Sequence, residues 1–221
     1  MVLMLVILTI TIFLFIDVLK IRKRNTVTIP STPKLHFPSH EIVIERYFHP
    51  GHSWVSIDNQ NTCTIGVDNF SQSIIGQIDV VDLPIEGTHI NQGDPFARLQ
   101  HHRKSISHVA PISGKIEKVN SSLWDHPTHI NDSPYEKGWL VKIRPSNLER
   151  ELNNLLRGTT ADRWKEAVRT QLLQFFSPQL GTVLQDGGEI IQNLSDQLDE
   201  EDWQRLLLEF FPKVQHHHSL V

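Results

Sequence analysis

Every residue from Val2 to Ile16 is apolar or threonine, and the run continues through Asp17, Val18 and Leu19 to the cluster Lys20-Ile21-Arg22-Lys23-Arg24. A helix rising about 1.5 Å per residue over this stretch nearly crosses a ~30 Å hydrocarbon core, with Lys20 and Arg22 snorkelling to the interface. The basic residues follow the apolar run instead of preceding it, and no small-x-small cleavage site comes after it. The pattern therefore predicts an uncleaved single-pass anchor over residues 1–24 in preference to a signal peptide. The positive-inside rule then puts the rest of the chain in the cytoplasm. Residues 25–40 are rich in Thr, Ser and Pro, as in Ile29-Pro30-Ser31-Thr32-Pro33, and read as an extended tether.

From residue 41 to 145 the period shortens. Runs such as Ile42-Val43-Ile44, Trp54-Val55-Ser56-Ile57, Thr62-Cys63-Thr64-Ile65, Ile116-Glu117-Lys118-Val119 and Leu140-Val141-Lys142-Ile143 are β-branched or alternate apolar with polar positions. Turn residues separate them, among them Pro84, Gly87, Gly93, Pro95, Pro111, Gly114 and Gly138. Many short strands between frequent turns predict a small sandwich or barrel. In residues 146–221 the spacing becomes helical: Leu148, Leu152, Leu155 and Leu156, then Trp164, Ala167, Val168, Leu172, Phe175 and Phe176. A last helix is expected from the acidic run Asp199-Glu200-Glu201-Asp202, whose carboxylates suit a helix N-terminus, through Trp203, Leu206, Leu207 and Phe210 to Pro212. Such apolar stripes either pack on the β domain or meet a partner, core packing being the commoner use.

Composition narrows the function classes. A formal net charge of −4 over 221 residues is not the footprint of a nucleic-acid binder. The single cysteine, Cys63, excludes an intramolecular disulfide and any Cys-x-x-Cys metal or redox motif. There is no Gly-x-Ser-x-Gly elbow, phosphate-binding glycine loop or His-Glu-x-x-His, so independent catalysis is not expected. The histidines, notably His49, His52, His101 and His102, show no convergent ligand spacing. No metal site is therefore assigned from the sequence.

A series of spaced landmarks between Tyr47 and Ile143 resembles the H protein of the glycine cleavage system. They are His52-Ser53-Trp54-Val55, then Ile65-Gly66-Val67-Asp68-Asn69-Phe70-Ser71-Gln72, then Leu83-Pro84-Ile85-Glu86-Gly87 followed by Gly93. After these come Ala110-Pro111-Ile112-Ser113-Gly114, Val119-Asn120 and the long, specific stretch from Ile130 to Leu140. The resemblance implies a mainly β fold, a lipoyl-type barrel-sandwich hybrid of two short sheets with flanking helices. Here it would carry an N-terminal transmembrane helix and a C-terminal helical extension. It also implies a lysine at the tip of a β-hairpin that carries lipoate and serves partner enzymes.

At that tip the sequence departs from the family. The carrier lysine follows a glycine by ten residues, and Gly93 plus ten is Arg103; six residues separate the lysine from the Ala-Pro pair, and counting back from Ala110 again gives Arg103. The residue before it is His102 where the family has an acidic neighbourhood. A guanidinium stays protonated and offers no nucleophilic amine, so Arg103 is not an attachment site. Lys104 has the right chemistry one place late, and strict alternation turns it to the other face of the strand.

The leading expectation is a membrane-tethered binding or scaffold module without lipoate, its protein partner unidentified. At its tip His101, His102, Arg103, Lys104 and His108 would offer a cationic knob for an acidic partner or anionic lipid, against the more ordinary reading of a solvated turn with no role. One alternative is a working carrier with lipoate on Lys104, shuttling an aminomethyl or redox group. Another is an export adaptor of the membrane-fusion type.

Overall fold

The computed structural model describes residues 45–58, 61–176 and 193–211. Among them, no helix is long and apolar enough to cross a membrane. The expected anchor over 1–24, the linker over 25–40, the run Ile42-Val43-Ile44 and the C-terminal histidines all lie outside the described residues.

Among the described residues, nine strands form two antiparallel sheets. The larger has the order β1-β2-β3-β9-β8-β5, built from β1 (Arg46–Phe48), β2 (Ser53–Ile57), β3 (Cys63–Val67), β9 (Val141–Pro145), β8 (Gly114–Val119) and β5 (His89–Ile90). The smaller is β4-β6-β7, from β4 (Val80–Asp82), β6 (Pro95–His101) and β7 (Lys104–Val109). The alternating runs predicted as strands become β2, β3, β8 and β9. Val55, Ile65, Ile116 and Ile143 are fully or almost fully buried in one core with Leu99 and Ile106 of the small sheet.

Many of the landmark residues tie loops to these sheets. Trp54 lies flat against Gly66 across the β2–β3 pair, donating its indole N–H to the Val67 carbonyl at 2.9 Å. Asn120 donates to the carbonyls of Lys137 and Trp139, and Asn131 accepts from the Ile78 N–H and donates to the Gly76 carbonyl. These bonds satisfy backbone groups in the loops entering β9 and β4, where no ladder partner exists. Helix α1 (Asn69–Ile75) has Asp68 as N-cap, its carboxylate accepting from Ser71 N–H at 3.1 Å.

The part after Pro145 shares this core. Two four-residue helices, α2 (Ser122–Asp125) and α3 (His129–Asp132), precede it. Then come α4 (Leu148–Leu152), α5 (Gly158–Phe176), α6 (Leu194–Gln197) and α7 (Glu200–Phe210). Leu155, Val168, Leu172, Phe176, Leu194, Trp203, Leu206 and Phe210 join the cluster that contains Ile65 and Leu99. The helix expected through Leu156 ends early. The backbone of Leu156 instead exchanges two 2.8 Å hydrogen bonds with Phe48, filling the open edge of β1. An edge strand leaves such backbone groups unpaired, and pairing them outweighs one more turn of helix.

Candidate functional site

Strands β6 and β7 form a hairpin whose last pair is His101 opposite Lys104, leaving His102 and Arg103 as the two-residue turn. His102 takes the positive φ (51°) at the first turn position, a conformation that histidine enters more readily than most side chains other than glycine. The Gln100 side chain donates to the His102 carbonyl, and Asp79, just before β4, closes the turn by accepting the His102 N–H at 2.8 Å. At the other end of the hairpin, Ser113 donates both its N–H (2.7 Å) and its hydroxyl (2.5 Å) to the buried Glu151 carboxylate of α4.

Alternation along β7 decides where each tip residue points. Lys104 has the same parity as Ile106 and His108, both fully buried, so its side chain leans toward the helical cover and away from the apex. There its ammonium donates to the carbonyl oxygens of Ser195 and Leu198, at the C-terminal end of α6, and lies 5.5 Å from the Trp203 ring centroid. Carbonyls at a helix end have no intrahelical partner, and an ammonium satisfies them. Ser195 in turn donates its hydroxyl to the Ile75 carbonyl at 2.6 Å, fixing α6 on α1. Arg103 is exposed in the turn.

The five-residue cationic knob, one of the two readings of this tip, does not form. His108 faces inward and is fully buried, packed edge-on against Phe211 at 5.9 Å. Burial pushes its imidazole pKa down to about 4, against the opposing pull of the Asp68 carboxylate. His101 is also buried and sits between two carboxylates: its Nδ1 is 3.1 Å from Asp79 and its Nε2 3.1 Å from Asp196. Only His102 and Arg103 remain exposed, because alternation sends every second residue of the hairpin inside. Asp79 and Asp196, which flank the tip, carry no signal in the sequence, and Trp203 is legible there only as part of the apolar stripe of the last helix. Asp196 lies 95 positions from His101, and nothing in local spacing links them.

The other histidine pair noted in the sequence divides as well. His52 is buried with its Nδ1 2.9 Å from Asp68 and stacks on Phe70 at 4.3 Å, while burial lowers the pKa of His49. The buried His52 and Asp68 lie beneath Trp164 and Phe211, with ring centroids 5.1 and 5.2 Å from His52. The pair packs the junction between the β domain and the C-terminal helices.

A two-sheet antiparallel β domain with an exposed hairpin tip and a helical cover is the class of protein these elements define. The family model described as "Glycine cleavage H-protein" matches residues 46–168, more than half of the sequence, and the chain belongs to that family. It is 38% identical over 117 residues to a glycine cleavage system H protein of Anoxybacillus flavithermus, covering 53% of this chain and 88% of that protein. With the protein of the same name from Staphylococcus epidermidis strain RP62A it is 41% identical over 117 residues, covering 53% and 89%. A solved glycine cleavage system H protein from Mycobacterium marinum aligns at 25% identity with a TM-score of 0.43, over 46% of this chain and 84% of that one. Ser195, Asp196, Leu198 and Trp203, which meet Lys104 and His101, lie beyond the matched residues.

Proposed function

We propose that this chain is a member of the H-protein family that carries no lipoate and works as a binding or scaffold module, held at a membrane by its N-terminal segment. The observation that carries the reading is the pair at the hairpin end: an exposed Arg103 in the turn, and a neighbouring Lys104 whose ammonium is held by two backbone carbonyls and Trp203. Acylation requires a neutral, accessible amine. Lys104 would have to leave both carbonyls, lose its proton and emerge from under α6 before a ligase could reach it. Arg103 is accessible and has no amine to offer. Tethering is supported by the apolar run Val2–Ile16 and the basic cluster that follows, which also favour a cytoplasmic position for the domain.

A second reading draws on family membership itself: lipoate on Lys104, with the cover opening to release it. Incubating the purified full chain with lipoate, ATP and a lipoate–protein ligase separates the two. Under the leading reading the chain stays unmodified while a conventional H protein in the same tube is fully acylated. An adduct that disappears in a Lys104→Arg variant establishes the carrier reading instead. Extraction of cell membranes with alkaline carbonate tests the tether: the chain should stay with the membrane pellet, and release into the supernatant would refute an integral anchor.

A further inference from the structure

The hairpin tip holds a second constellation that Lys104 does not use. One ligand atom from each of Asp79, His101 and His102 lies within 4.8 Å of the others. His101 and His102 are consecutive, yet their rings come together, tilted by 45° with centroids 4.0 Å apart, because His101 ends a strand while His102 turns back at φ 51°. Asp79 is held next to them by the His102 N–H and keeps its carboxyl below the usual carboxylate range, chiefly through that backbone hydrogen bond.

The buried His101 ring shows how the cluster is wired. Its Nε2 and the Asp196 carboxylate are at hydrogen-bond distance, 3.1 Å. If that nitrogen carries the hydrogen, Nδ1 bears the lone pair and faces Asp79 and His102. Nδ1 is buried and makes no hydrogen bond: the Asp79 oxygen at 3.1 Å lies off the required geometry. A histidine whose outer nitrogen donates to a carboxylate, and whose inner nitrogen is unsaturated beside a second imidazole and a carboxylate, is the usual preparation for a metal ligand.

We propose that Asp79, His101 Nδ1 and His102 bind one divalent first-row cation, of which Zn²⁺ suits two imidazoles and a carboxylate best, with Asp196 orienting His101 from outside the coordination sphere. Ligand atoms about 2.0–2.1 Å from zinc stand roughly 3.4 Å from one another; Asp79 and His101 Nδ1, 3.1 Å apart, are already that close, and the separations to His102 are at most 4.8 Å, so they contract by no more than about 1.4 Å. Asp79 and His102 are exposed and able to move, while His101 is the fixed point. Remaining positions fall to water. The bound ion joins the edge of β4 to the hairpin tip and, through Asp196, to the C-terminal cover. The site uses side chains other than those on which the absence of lipoate rests, so either reading can fail without the other.

The test is equilibrium dialysis of the purified full chain against Zn²⁺ with metal analysis, repeated with Co²⁺ to read its visible spectrum. The reference protein carries His216→Ala, His217→Ala and His218→Ala, which removes the terminal histidine run as a competing site. It should bind one equivalent at micromolar affinity or tighter. His102→Ala and Asp79→Asn, both at exposed side chains, should each weaken binding at least tenfold. Asp196→Asn should weaken it by about 10–100-fold with the stoichiometry unchanged. A reference that binds no equivalent of Zn²⁺, or less than tenfold weakening in both His102→Ala and Asp79→Asn, overturns the site.

Discussion

Cys63 lies in β3 with no exposed surface, and burial, aided by the Asp58 carboxylate, pushes its thiol up to about 11. A buried thiol that stays protonated is a poor nucleophile, so Cys63 should resist maleimide or disulfide reagents in the folded chain and react within minutes in denaturant. His108 gives a pH dependence of definite sign. Folded, its pKa is held near 4; unfolded, it returns to 6.5, so the unfolded chain takes up a proton first as the pH falls. Its contribution to stability is complete above pH 6.5 and is lost between 6.5 and 4, by at most about 3.5 kcal/mol at ~1.4 kcal/mol per pH unit. His108→Leu should flatten the acid side of a denaturation profile measured from pH 7 to 4, and an unchanged slope would contradict this assignment. Arg103 and Lys104 show how much one position matters. Two adjacent cations differ because strand parity sends one into solvent and the other under a helix.

Among the elements, the β2–β3 pair is tightly specified. A methyl group added at Gly66 would come within 2.5 Å of the Trp54 ring, which is fully buried and cannot retreat. Gly66→Ala should therefore cost about 1–3 kcal/mol, measurable as a lower urea midpoint. Strands β2, β3, β8 and β9 were readable from alternation because one face of each is apolar. The β6–β7 hairpin was not readable this way, since inward positions 101, 104 and 108 are His, Lys and His, and polar residues there scramble the two-residue period. It was reached through the resemblance, by counting from Gly93 and Ala110. Helix α1 lies inside the landmark Ile65–Gln72, which by itself predicts no helix, although Asp68, whose carboxylate accepts from Ser71 N–H, is a clear N-cap. The surroundings of the tip could not be read at all. Asp79, Asp196 and Trp203 reach it only through tertiary packing.

At the scale of the molecule, the stretch from α6 to α7 acts as a lid built into the core. Trp203 is almost wholly buried beside the Lys104 ammonium, and Leu206 and Phe210 pack with it against the β domain. Trp203→Ala should destabilise the chain by about 3–5 kcal/mol, seen as a lower thermal midpoint. It should also raise the reactivity of Lys104 toward amine-acylating reagents, measured by peptide mapping, since α6 and α7 would no longer hold the ammonium. Unchanged reactivity would mean that the lid does not shield it. The family match stops at residue 168, before this lid begins, so the segment that occupies the lysine lies outside the matched region. The central claim, that this H-protein-family chain carries no lipoate, is tested most directly by intact mass spectrometry of the protein isolated from the cells that make it. The expected result is the mass of the unacylated polypeptide. A lipoyl adduct on Lys104, or on any other lysine, would contradict it.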